Sequence, residues 1–528
     1  MEHAVVPPAW VDAHAPVATL LAPLHPHWPW WGAALLLLGL ALRLARRGVP
    51  RQPLAVTFAA LAATALAIAC DGLVDDAYIQ FRYAAHWAAG EGPVFNPGER
   101  LEGASGGLWM AVVAATSRLT GVSTGIVARL LSLLLTPATV LAAAAAAARL
   151  APGAAVPVAV AWAALATPAL YAATGLETAS WAFALWLLAA GLAAARPGVA
   201  ATGAALGAAV RPEALVLAAL TLPTWRHLPR VGRAALATAV ATQALVAGAR
   251  FFYYGSPIPH AALVKGVTAA AGTPAGVRYL AAGLLEWWPL LLAIPVLWQQ
   301  RRRFLPALLP VAGWTALVVL RGGDWMPGSR YLVPLLVLLT AALALTPPRR
   351  RLAAAGLLLA LAAWRLAPLE QPGTGRPGDL WRAMATHRLQ CRWWEALGQR
   401  LGRHLPPGTR IAVGPAGALP YASGLPTFDL YGLNTPVQRQ GGVTPGHTLW
   451  GLPEAVEQGC TVIVPGRPVP QTEDVAALHA AAAALAAEVP ALAEHYRPVV
   501  LVHPSPRRLD ILRDILWVRR DRGEERPP

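Results

Sequence analysis

Long apolar runs recur from the N-terminus to about Glu370 and then cease. They cover residues 30–44, 54–70, 127–148, 156–173, 178–195, 234–250, 282–298, 304–320, 331–346 and 352–368, close to the roughly 20 residues a helix needs to cross hydrocarbon. A shorter run from Leu108, LWMAVVAATSRLTG, carries Arg118 and predicts a helix lying at the interface. Between Arg196 and Arg233 the pattern breaks at Arg211, Pro212 and Glu213, where proline removes a helix hydrogen bond. This predicts two half-helices with charge at their turn, against a competing reading of one kinked span. Beyond Glu370 an amphipathic stretch over 379–404 precedes strand-like pieces, TRIAVG, FDLYG, CTVIVPG and VVLVHP, separated by helical stretches such as 473–487. The expected architecture is a polytopic α-helical membrane protein of about 11 to 12 spans over 1–369, followed by a small α/β domain over 370–528.

Charge orients these spans. The chain is 56% hydrophobic and 13% charged, with a mean hydropathy of +0.47 and a net charge of +16. Nearly all the positive charge is arginine in short clusters between apolar runs, and Lys265 is the only lysine. That pattern fits cytoplasmic loops of a membrane protein better than a nucleic-acid partner. RLARRGVPR, after the first run, sets 45–52 in the cytoplasm, and the next span then delivers Asp75 and Asp76 to the outside. With a hairpin at Pro212, the clusters at 301–303 and 349–351 are also cytoplasmic, and the C-terminal domain is extracytoplasmic. MEHAVVPPAW has no basic region ahead of its apolar segment, so no cleaved signal peptide is expected.

The outer face then collects an unusual set of polar residues. Asp75 and Asp76 open a loop, 71–126, that also holds Tyr78, Arg82, Asn96 and Glu102. Carboxylates at the lip of a membrane helix are costly unless paired or functional, although a helix cap is the simpler alternative. Glu177, Arg211, Glu213, a loop from Arg250 to about Leu280 with His260 and Lys265, and Asp324 with Arg330 fall on the same face. Each alone reads more readily as a cap or a snorkelling anchor than as a site residue. Together, acids beside cations at headgroup depth suit a phosphate-bearing amphiphile. GPAGALPYASGLPTFDLYGLN predicts a loop reaching back to this face with Asp429 and Asn434, or a packing surface. Cys391 and Cys460 share the outer domain and are candidates for a disulfide, while Cys70 ends a span. No zinc-ligand spacing or P-loop is present.

DDAYIQFRYAAHWAAGEGPVFNPGERLEG, TGLETASWAFAL, VRPEALVLA, FFYYGSPIPHAALVKG, GGDWMPGSRYLVPLL and GALPYASGLPTFDLYGLNTP occur in this order. Taken together they resemble the GT-C membrane glycosyltransferases, in particular the mycobacterial terminal β-(1→2)-arabinofuranosyltransferase family, over about residues 54–440. The resemblance implies a transferase of the bacterial inner membrane that moves a sugar, there arabinofuranose from a decaprenyl-phosphate donor, to a glycan or lipid acceptor of the envelope at the outer face. It also implies that the catalytic aspartate is Asp75 or Asp76. The chain departs from the family at Gln80, where a small serine is expected, and at ASGGLW after Glu102-Gly103. Most GT-C enzymes invert, whereas a β-linked product from a β-phosphoryl arabinose requires retention.

On this reading one of Asp75 and Asp76 is the general base toward an acceptor hydroxyl, and the other orients it or the donor sugar. Arg82, Lys265, Arg330 and His260 are the candidates to meet the donor phosphate. Tyr78, Glu102, Glu177, Arg211, Glu213, Asp324, Asp429 and Asn434 would hold sugar hydroxyls or lock those cations. No cofactor is called for, and a divalent metal bridging acids and phosphate stays open. The rival class is a transporter or lipid flippase, in which the acids couple ions and the broken helix binds substrate at the midplane.

Overall fold

The computed structural model describes residues 51–70, 73–266, 269–324, 326, 328–366, 380–437, 451–466, 475–504 and 511–520. The apolar run at 30–44 lies outside them. Among the described residues the first module is helical and has no strand: α1 (Arg51–Cys70), α2 (Asp75–Ala89), α3 (Gly107–Thr120), α4 (Thr124–Leu150), α5 (Ala155–Ala163), α6 (Ala166–Thr174), α7 (Thr178–Ala193), α8 (Pro197–Val210), α9 (Glu213–Thr221), α10 (Arg230–Tyr254), α11 (His260–Gly266), α12 (Ala269–Glu286), α13 (Ile294–Gln299), α14 (Arg301–Leu320), α15 (Val333–Leu343) and α16 (Pro348–Leu366).

Among the described residues, α4, α10 and α14 are long and apolar enough to cross a membrane, and α1, α7, α8 and α15 contribute shorter apolar helices. Many of their large side chains face outward: Leu134 is 68% exposed and Leu245 75%. Such apolar exposure costs heavily in water and nothing in lipid.

Two expected straight spans are broken. The run 156–173 forms α5 and α6, bent by 58°, because Pro168 cannot donate to the carbonyl of Ala164 and its ring crowds that carbonyl. The run 282–298 contains an 83° bend between α12 and the segment Trp288–Gln299, where Pro289 sits in the first turn of a 3-10 segment. The expected loop from Arg250 to Leu280 is instead the end of α10, then α11 and α12.

Small residues let these helices approach closely. A Cβ on Gly191 would lie 2.3 Å from the backbone N of Ala200, and one on Gly203 would lie 2.4 Å from that of Leu188. Glycine is therefore required where α7 meets α8. The break after α8 is also satisfied chemically. Pro212 has no N–H for Ala208 O, and Gln243 Nε2, from α10, donates to Ala208 O at 2.7 Å and Arg211 O at 3.0 Å.

The C-terminal part is α17 (Leu380–His404), β1 (Ile411–Val413), α18 (Ala418–Ser423), β2 (Thr427–Asp429), α19 (Leu452–Glu457), β3 (Val462–Val464), α20 (Val475–Glu488), α21 (Pro490–His495), β4 (Tyr496–Pro504) and β5 (Ile511–Arg519). Its sheet has the order β2-β1-β3-β5-β4. β1 pairs in parallel with β2 and β3, and β5 runs antiparallel to β3 and β4.

One sheet face and α17 join a core shared with the helical module, in which Ile411, Val413, Trp394 and Leu419 pack with Tyr78, Phe81, Ala128 and Tyr171. The other face packs Ala412, Phe428, Ile463 and Trp517. Cys391 belongs to the first core and Cys460 to the second; both are free thiols, so the expected disulfide does not form. Neighbouring strand residues point to opposite faces, and the sheet lies between the two sulfurs.

Candidate active site

The site is organised by α2. Val74 is extended and the helix begins with Asp75 and Asp76 in its first turn, where the helix dipole favours negative charge. Gly90 ends it in the left-handed conformation, donating to the carbonyls of His86 and Trp87. Consecutive helical residues diverge by about 100°, so the two acids point to different neighbours.

Asp75 faces the C-terminal domain. Its Oδ1 accepts from Ala418 N at 2.8 Å and its Oδ2 from Gly417 N at 3.0 Å. Burial raises its pKa from the ordinary carboxylate range to about 7, the Ala418 and Gly417 amides opposing the rise and the neighbouring Asp76 adding to it.

Asp76 faces the helical module. Its side chain is 24% exposed and its Oδ2 lies 3.7 Å from Arg330 Nη2. Arg330 is buried, donates from Nε to Asp324 Oδ2 at 2.5 Å, and lies over the rings of Tyr331 and Tyr171. Ser329, just before it, has φ of 50°, a strained conformation for a residue with a side chain.

A turn further along α2, Gln80 Nε2 donates to Glu177 Oε2 at 2.5 Å. Glu177, at the junction of α6 and α7, also accepts from Arg211 Nη1, while Arg211 Nη2 donates to Glu213 Oε1 at 2.8 Å. The Arg211 guanidinium lies 5.2 Å from the Trp181 ring centre and 5.3 Å from that of Tyr331. Tyr331 thus touches both arginines. Asp76, Gln80, Glu177, Arg211, Glu213, Asp324 and Arg330 therefore form one neighbourhood of alternating charge.

Other expected site residues lie elsewhere. Arg82, a candidate for phosphate, is buried and taken up by protein acceptors: Nε by Phe95 O at 2.7 Å, Nη1 by Pro420 O, and Nη2 by Leu425 O at 2.8 Å and Asn96 Oδ1 at 3.2 Å. It ties the two parts of the chain together, and burial away from water lowers its pKa to about 10. Tyr78 packs against Phe81 and Tyr421 and hydrogen-bonds Glu395 of α17, away from Asp76's neighbours.

Glu102 accepts both bonds of Arg250 Nε, at 3.0 and 2.9 Å, and Arg250 Nη2 donates to Ser105 O. Glu102, in the first loop, thus holds a cation of α10. His260 Nε2 lies 3.1 Å from Gly432 O, so it fastens a loop of the C-terminal domain and is not aimed at a phosphate near Asp76. That loop is built by Asp429, which accepts from the backbone N–H groups of Tyr431, Leu433 and Asn434 and from Asn434 Nδ2. Asn434 Oδ1 occupies the place where a Cβ on Gly103 would project. Asp429 and Asn434 thus hold a loop of the C-terminal domain against the first loop of the helical module. Lys265 lies in α11, and its side chain is outside the described residues.

Sequence reasoning missed Arg250, Tyr331, Tyr171, Glu395 and the Gly417–Ala418 amides. Only Gln80 carried a signal, as a departure from the expected serine. Among the described residues no three His, Cys, Asp or Glu side chains gather in a metal-binding group.

The arrangement can be compared with known proteins. ArnT from Cupriavidus metallidurans bound to undecaprenyl phosphate superposes with a TM-score of 0.50 at 15% identity, covering 92% of this chain and 98% of that one. The chain has a GT-C fold. The same ArnT in its apo state aligns with a TM-score of 0.47 at 15% identity, covering 84% and 94% of the two chains. A domain of unknown function, DUF8728, matches residues 382–504, most of the C-terminal domain. No curated protein matches this GT-C chain in sequence.

Proposed function

We propose that the protein is a membrane glycosyltransferase that takes a sugar from a polyprenyl-phosphate donor and transfers it to a glycan or lipid acceptor at the outer face. The observation that carries this reading is the Asp76–Arg330 pair: a partly exposed carboxylate 3.7 Å from a buried guanidinium that Asp324 holds in place. A gap longer than a hydrogen bond leaves the guanidinium edge open to a phosphate oxygen, and a monophosphate is an anion that a braced arginine suits. Similarity of fold to ArnT, crystallised with undecaprenyl phosphate, supports the same donor class.

The acids would take the proton of the acceptor hydroxyl, and Arg330 would meet the charge that develops on the leaving phosphate. Lys265 and Arg211 remain the supporting cations, and the arginine clusters support an extracytoplasmic C-terminal domain. Arabinofuranose is the first sugar to test, because the ordered motifs resemble that family. A divalent metal, if one is bound, would be held by Asp76 and the donor phosphate.

The test is reconstitution in liposomes with a labelled panel of polyprenyl-phosphoryl sugars and an acceptor glycan. Acceptor labelling with release of polyprenyl phosphate is expected. Movement of intact donor between leaflets without acceptor labelling would favour the flippase reading instead.

A further inference from the structure

The two acids of α2 differ in every contact, and, given the transferase reading above, we infer that the Gly417–Ala418 backbone of the C-terminal domain anchors Asp75 and thereby positions Asp76 as the substrate-facing acid. The spacing along α2 sets this up. Asp75 and Arg82 are seven residues apart and share one face; Asp76 and Gln80 are four apart and share another. The first pair is gripped by a single segment of the C-terminal domain. Gly417 N and Ala418 N hold Asp75, and Pro420 O and Leu425 O hold Arg82. The second pair meets Arg330 and Glu177 of the helical module.

Gly417 shows how close the grip is. A Cβ there would lie 1.9 Å from Asp75 O and 2.7 Å from Asp75 Cγ, so any side chain would push α2 away. Both Asp75 oxygens accept backbone amides, while Asp76 keeps a quarter of its side chain exposed beside Arg330. An acceptor hydroxyl can therefore reach Asp76 without dismantling the domain interface. In the transfer step Asp76 takes the hydroxyl proton as the acceptor oxygen bonds to the anomeric carbon. The bond from that carbon to the phosphate oxygen breaks, and polyprenyl phosphate leaves with the electron pair.

The experiment pairs kinetics with hydrogen exchange of the backbone amides at 417 and 418, on the full chain in lipid nanodiscs. Asp76→Asn should lose about a hundredfold or more in kcat, the scale of a general base, with both amides still protected. Asp75→Asn should speed exchange at 417 and 418 and cost about tenfold in kcat, the scale of one lost hydrogen bond. Gly417→Ala, which leaves both carboxylates intact, should reproduce the Asp75→Asn result in both readouts.

A hundredfold loss in Asp75→Asn together with near wild-type turnover in Asp76→Asn would overturn the assignment. So would unchanged protection in Asp75→Asn. If the wild type turns over no polyprenyl-phosphoryl sugar at all, the transferase reading fails, and the exchange measurement still decides the anchor by itself.

Discussion

Gln80 donates a 2.5 Å hydrogen bond to Glu177 across 97 residues of sequence. This bond couples the helix that bears the acids to the arginine turn at the α8–α9 break, because Glu177 is also the partner of Arg211. Gln80→Ala should leave Glu177 paired but remove its tether to α2. The expected cost is about 1 to 3 kcal/mol, the usual penalty when a buried carboxylate loses one donor. Scanning fluorimetry of the detergent-solubilised variant reads it as a lowered Tm; an unchanged Tm would show the contact to be incidental.

The Arg250–Glu102 pair is the second lock. Both side chains are buried, so removing either leaves a charge without its counterion, a loss of about 3 to 5 kcal/mol. Arg250→Ala and Glu102→Gln should each destabilise the protein strongly, and the double variant should lose less than the sum of the two. Additive losses measured in urea titrations would mean that the pair does not act as a unit.

Arg82 presents a planar fork to four acceptors in two parts of the chain. Lysine keeps the charge and cannot reproduce the fork. Arg82→Lys should therefore lower Tm and speed exchange over 418–425, with the affinity for polyprenyl phosphate unchanged. A selective loss of that affinity would return Arg82 to the phosphate site.

Asp75 also predicts a pH dependence. Its folded pKa is raised to about 7 from an unfolded value near 3.8. The folded state therefore holds the proton more tightly, and stability from this group is complete below about pH 4 and is lost as pH rises through about 7. Between those values the wild type should lose stability relative to Asp75→Asn, which does not titrate. The Tm difference between the two proteins, followed from pH 5 to 8, checks the sign; a difference that moves in favour of the wild type with rising pH would contradict it.

What could be read in the chain before its structure follows from the range of each signal. Adjacent acids after an apolar run, a proline between two half-helices and clusters of arginine are local patterns; α1, α8 and α9 fall where these patterns put them, whereas α2 forms inside the stretch that reads as a loop. The resemblance of ordered motifs led to the GT-C fold. The direction in which each acid points was not legible, because Asp75 is fixed by amides more than three hundred residues away. Arg82 was misjudged for a similar reason: charge type signals a cation, and only the fold reveals that the carbonyls of Pro420 and Leu425 claim it. β5 gave no alternating pattern, since Arg513 and Asp514 interrupt ILRDILWVR. The free Cys391 and Cys460 shared a domain in sequence and are separated by a sheet in space.

The proposed donor site rests on Arg330, and the affinity for polyprenyl phosphate tests it most directly. The wild type in nanodiscs should bind the free lipid phosphate, and Arg330→Ala should weaken that binding by roughly tenfold to a hundredfold, the equivalent of one charge-assisted hydrogen bond. Equal Kd values for the wild type and Arg330→Ala, or no binding by either, would contradict a phosphate site beside Asp76.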